Sequence, residues 1–104
     1  MSVDNNRLLL LLEKAVRDTN RDILNPTIKA LKIDDLTPVL ELVARARADY
    51  LKELFDVAAE HPDNLPSEER IGHLKRHRER YQELVSASQA LETAIERKYL
   101  DVAP

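Results

Sequence analysis

The chain has no cysteine, no tryptophan and a single glycine, Gly72. Without cysteine there is no disulfide, no thiolate nucleophile and no Cys-based zinc site. Such a chain needs no oxidising compartment, and a cytoplasmic location is the expectation. Aromatic residues make up 4% of the sequence, fewer than a strand-rich fold draws on. A basic excess is also missing. The formal net charge of -3 argues against generic nucleic-acid binding and against docking on an anionic membrane surface. Long apolar runs are absent too: the longest, Leu8 to Leu12, has five residues. A bilayer span needs about 20, and a secretory core about 7–15 with a small-residue cleavage site.

The signatures of catalysis are missing as well. There is no Gly-rich phosphate loop, nucleophile elbow or Cys/His pair. The acidic pairs Asp34-Asp35 and Glu68-Glu69 fall where helix N-termini favour carboxylates, so capping accounts for them. The chain therefore reads as non-enzymatic and free of cofactors.

What is present is a globular composition, 43% apolar and 34% charged over 104 residues, enough for one domain spanning 1–104. Leu, Ala, Glu, Arg and Lys lose little freedom in a helix. Prolines punctuate the sequence at 26, 38, 62, 66 and 104, and helices stop before a proline or carry one in their first turn. The pattern predicts an all-α fold, an elongated antiparallel three-helix bundle with helices over about 4–24, 36–60 and 67–100. A short helical segment is expected over about 26–32, with Asn25 as its N-cap.

At about 100° per residue, Leu8, Leu12, Ala15, Val16, Thr19 and Ile23 share one face of the first helix. The second presents Leu36, Leu40, Val43, Tyr50, Leu54, Val57 and Ala58, a wide stripe that Ala44, Leu51 and Phe55 extend. The third carries Leu74, Tyr81, Ser88, Ile95 and Val102 at strict seven-residue spacing, which makes a helix supercoil around a neighbour. Asp34, Asp35 or Thr37 is expected to cap the second helix, and Ser67 the third.

Four groups of residues are candidate sites. The five leucines cover every side of a helix, and a helix apolar all round is buried on more than one side. Leu9, Leu10, Leu11 and Leu42 are the residues expected outside the intramolecular core, as a partner-binding surface. Arg47 falls amid the apolar face of the second helix. An antiparallel pairing brings it and Tyr50 beside His77 and Tyr81, as a polar core layer that sets register or receives a carboxylate. Glu69, His73 and His77 share one helix side, but no fourth ligand is apparent, and no metal site is expected. The basic run His73 to Arg80 scatters its charges around the helix among interleaved glutamates, as a solvated face does.

The stretch KIDDLTPVLELVARARADYLKELF followed by LPSEERIGHLKRHRERYQELV resembles the small all-helical export chaperones of flagellar and type III secretion systems. The likeness lies in helix layout and charge rhythm over the last two-thirds of the chain. It implies a non-enzymatic protein that holds a partner's amphipathic segment against exposed apolar faces.

The function expected is a helical interaction module, a small chaperone or adaptor that binds a partner helix or itself as a homodimer. The alternatives are a nucleic-acid-associated accessory domain using Arg70, Arg76, Arg78 and Arg80, or a ligand- or metal-binding bundle using Arg47, His73 and His77.

Overall fold

The computed structural model describes residues 3–103. The fold is all-α. Three helices carry it: α1 (Val3–Leu24), α2 (Ile33–Glu60) and α3 (Glu68–Glu96). The chain divides into two compact units. One comprises the residues up to 35 together with 91 onward, and the other comprises 36–90.

The unit over 36–90 is an antiparallel helical hairpin. Its two helices meet along a seam that alternates steps of three and four residues. On α2 the shielded positions are Leu36, Val39, Val43, Ala46, Tyr50, Glu53 and Val57, with Ala46 and Val57 buried at 6% exposure each. On α3 they are Arg70, Leu74, His77, Tyr81, Leu84 and Ser88. This is a heptad seam, in which side chains from each helix fill gaps on the other.

The seam corrects the expected face of α2. Leu40, Ala44, Leu51, Leu54, Phe55 and Ala58 are exposed, not core. A stripe that wide needs neighbours on two sides, and a single antiparallel neighbour covers only its narrower half.

Local chemistry sets the helix ends. Ser67 Oγ accepts the backbone N–H of Arg70 at 3.1 Å, the N-cap bond expected of a serine at that place. At the start of α2 the cap works from inside the helix: the Lys32 N–H donates to the Asp35 carboxylate at 2.9 Å. The Asp35 N–H returns a bond to the Lys32 carbonyl at 3.0 Å. Because α2 begins at Ile33, Pro38 lies inside it, where it cannot donate to the Asp34 carbonyl.

The other unit is built around the end of the chain. Residues 26–32 are not helical. Thr27 and Ile28 donate to the Leu24 carbonyl at 3.0 and 2.9 Å, and the chain then runs extended to Leu31. There it pairs in a parallel bridge with Val102, through Leu31 N–H to the Asp101 carbonyl (2.9 Å) and Ala103 N–H to the Leu31 carbonyl (2.7 Å). Asn25 does not cap a helix; its side-chain carbonyl accepts the Asp101 N–H at 3.2 Å. Arg21 donates to the Lys98 carbonyl at 2.6 Å and to the Asp101 carboxylate at 2.5 Å. The stretch thus opens with a local turn on Leu24, and Leu31 satisfies its backbone against the C-terminal segment.

The third helix correspondingly ends at Glu96, short of 100, and Val102 leaves its face. The Tyr99 N–H bonds the Ala94 carbonyl at 2.8 Å and the Lys98 N–H the Ile95 carbonyl at 3.1 Å, with Lys98 at φ 62°. This is a Schellman termination with lysine at the left-handed position that glycine usually fills. A side chain there is strained by roughly 1–2 kcal/mol. Lys98→Gly should therefore stabilise the protein by about 1 kcal/mol, a rise in Tm of about 4–8 °C for a domain of this size. A thermal melt reads it, and an unchanged or lower Tm would contradict the assignment.

Candidate functional site

In α1 no residue is buried. Leu8, Leu9, Leu10, Leu11 and Leu12 are 65, 48, 67, 57 and 56% exposed. The expectation that Leu8 and Leu12 lie in the core is therefore wrong: all five stand in solvent, as do Val16 and Ile23. The reason is geometric. The contacts of α1 with the C-terminal segment run through Arg21 and Asn25 near its end, beyond the leucines. Between Leu12, Val16 and Arg17 on one side and Arg97, Lys98 and Tyr99 on the other lies an open cleft of about 550 Å³.

The hairpin carries a second exposed apolar surface. Leu40, Leu51 and Leu54 are 58, 47 and 49% exposed. Together with Ala44 and Ala58 they repeat the steps of three and four residues of the packed seam, rotated by about 100° around α2. The stripe borders α3, because Arg47, in its middle, donates from Nε to the Tyr81 hydroxyl at 3.1 Å. The Arg47 guanidinium also lies over the Tyr81 ring, 5.4 Å from its centroid. On the α3 side, helical phase places Ile71, Arg78 and Val85 along the same edge, with Ile71 46% exposed. In an antiparallel pair these flanking positions face one another and are normally charged. Here they are apolar on both helices except for Arg47 and Arg78, so the furrow where α2 and α3 meet, the groove, is greasy at both ends and cationic in the middle. Leu42 is 47% exposed but falls on the opposite edge of the seam, away from this groove.

Three of the four residues of the expected polar layer meet. Tyr50 and Tyr81 stack at 6.0 Å between ring centroids, tilted by 38°, and Arg47 covers Tyr81. His77 does not join them by a bond; its Nδ1–H donates to the His73 carbonyl at 2.9 Å. Arg47 is exposed, so the layer is a lip of the groove and not a closed core. A guanidinium over a ring face contributes about 0.5–1 kcal/mol at such an exposed site.

No family model, curated protein sequence or solved structure matches the chain.

The residues suited to other chemistry are engaged elsewhere. Arg70 spans the hairpin seam: it pairs with Glu53 through Nη1 and with Glu60 at 2.8 and 3.1 Å. The hydrogen bond to Glu60, then the charges of Glu53 and Glu60, hold the Arg70 guanidinium above its ordinary range. Sequence reasoning missed this network, which lies beside the turn and ties the helices in register. The signal was there: steps of four and three from Ala46 through Tyr50 reach Glu53, which puts that carboxylate on the seam opposite Arg70. Arg76 donates to His73 Nδ1 at 2.9 Å. Among the described residues no cluster of three His, Asp or Glu side chains converges as metal ligands do. No helix there is long and apolar enough to cross a membrane.

Proposed function

We propose that this protein is a helical interaction module that takes an amphipathic helix into the groove between α2 and α3. One observation carries the reading: α2 has two apolar stripes at coiled-coil spacing, α3 covers one, and the other stands open along Leu40, Leu51 and Leu54. Helix-in-groove recognition uses anchors at such i, i+3, i+4 and i+7 positions. The groove defines the ligand's chemistry: leucine-type anchors toward both ends, and a carboxylate near the middle to meet Arg47 and Arg78. A small chaperone or adaptor acting in the cytoplasm, like the secretion chaperones the sequence resembles, is the role this supports. No catalytic step is part of it.

The test is binding of a labelled leucine-rich helical peptide with one central glutamate, followed by fluorescence anisotropy. The expected Kd is about micromolar for an interface of a few anchors. Leu51→Glu, which puts a charge among the anchors, should weaken it about 30-fold or more. An intact chain that neither binds such a peptide nor associates with itself would overturn the proposal.

A further inference from the structure

We infer that the helix in the groove is α1 of a second copy, so that two chains exchange their first helices and form a homodimer. This rests on reading the groove as a helix-binding surface, and adds the identity of its occupant.

The first argument is that α1 has an unmet need. Its residues Leu9, Leu12, Val16, Thr19 and Ile23 recur in steps of three and four, the same alternation as the groove. The four apolar members are 40–65% exposed. A helix draws most of its stability from packing an amphipathic face, and this one buries nothing.

Length is the second. Leu9 to Ile23 and Leu40 to Leu54 each cover fourteen residue steps, about 21 Å at 1.5 Å per residue. The exposed face of α1 and the exposed edge of α2 are equally long.

Charge is the third. The positions flanking the α1 face are Asn6, Glu13 and Asn20 on one side, and Leu8, Ala15 and Asp22 on the other. They include acids and no base. The bases Arg7, Lys14 and Arg21 lie seven residues apart on the opposite pole. The groove has the complementary pattern, with Arg47 and Arg78 in its middle. Glu13, one residue beyond Leu12, stands near the centre of α1 where those two cations would be met. Arg7 and Lys14 on the remote pole are exposed, while Arg21 is held by Lys98 and Asp101 at the end of the helix, so none of the three is presented on the docking face.

The area suffices. Taking about 200 Å² as the upper figure for a large apolar residue fully exposed, the apolar residues of the α1 face with Leu40, Leu51, Leu54 and Ile71 offer up to about 800 Å² per copy. A stable interface uses about 800 Å² per partner. Pairing of two α1 helices alone would use about half as much.

The absence of cysteine makes the test direct. Val16→Cys chains are mixed with Ala44→Cys or with Leu51→Cys chains under oxidising conditions, and the full-length protein is weighed in solution by light scattering. The expected result is a mass twice the 11.9 kDa of the chain and mixed disulfides joining position 16 to position 44 or 51. In addition, Leu12→Glu and Leu51→Glu should each weaken the dimer about 30-fold or more, with the helical circular dichroism of the Leu12→Glu chain retained, since that residue is exposed within the protomer. A monomer at about 100 µM, far above a micromolar Kd, would overturn the inference. So would a dimer in which Val16→Cys links only to itself, or one that gives no mixed disulfide. The two levels of the reading separate cleanly. A monomeric chain that binds an added Val3–Leu24 peptide loses the exchange but keeps the helix-binding groove, and one that binds neither the peptide nor itself loses both.

Discussion

Ala46→Glu is expected to unfold the α2–α3 hairpin. Ala46 is 6% exposed and sits on the packed seam one turn before Tyr50, whose ring stacks on Tyr81. A small side chain suits a seam position where two helices approach closely. A glutamate brings both excess volume and a carboxylate with no partner. An unpaired charge in such a site costs about 3–5 kcal/mol, a large part of the roughly 5–15 kcal/mol that holds a domain together. Among the described residues only Ala46 and Val57 are buried in this unit, so little else offsets the loss. The loss of helical circular dichroism at neutral pH reads the effect. Burial raises the folded-state pKa of the new carboxyl, so the charge penalty is full above that raised pKa and fades as pH falls through it. Part of the helix signal should then return in acid. Ala46→Gln separates crowding from charge: it should be less disruptive at neutral pH and lack the acid recovery. A fully folded Ala46→Glu protein at pH 7 would show that the seam is not packed as described.

Leu100→Ala is expected to cost about 2–5 kcal/mol, the range for deleting a buried leucine side chain. Leu100 is the most buried residue described, at 3% exposure. It stands between the Schellman turn at Lys98 and the Asp101 that bonds Arg21, Asn25 and Leu31. Polar contacts on the surface hold the C-terminal segment in register, but exposed ion pairs contribute little. The apolar anchor decides whether the segment stays. Its removal should release the local unit before the hairpin melts. Hydrogen exchange at the amides of Leu31 and Ala103 would report it as a loss of protection of about 30-fold or more, with amides in the middle of α2 and α3 little changed. Equal protection in both proteins would mean that Leu100 is not the anchor.

Much of the fold was legible in the residues. Helix content followed from composition and proline spacing, and the Ser67 cap from one hydroxyl before a pair of acids. The face of α3 was legible as far as the helix runs: Leu74, Tyr81, Ser88 and Ile95 keep one seven-residue beat and are all shielded, whereas Val102 lies beyond the helix end. The Arg47, Tyr50 and Tyr81 juxtaposition followed from pairing the second and third helices antiparallel, although His77 makes no bond to them.

What failed was any judgement that depended on how many neighbours a helix has. A wheel gives the direction of a side chain and not whether anything stands there. Leu8 and Leu12 point along a good apolar face, as do Leu40 and Leu54, yet all four are in solvent. Glu53, which no apolar stripe singles out, lies on the seam, where Arg70 arrives from the other helix to meet it. Residues 26–32 do not form the expected helix: a turn on Leu24 leads to Leu31, whose backbone pairs with the C-terminal segment, a partner that a local reading cannot see.

The sequence by itself settled what is encoded within a turn or two of chain: helix type, cap chemistry and apolar period, all governed by contacts between near neighbours. Only the tertiary structure decided which stripes are covered, where α3 stops and what Arg70 binds. Burial depends on groups distant along the chain arriving at one place, and no local pattern fixes that.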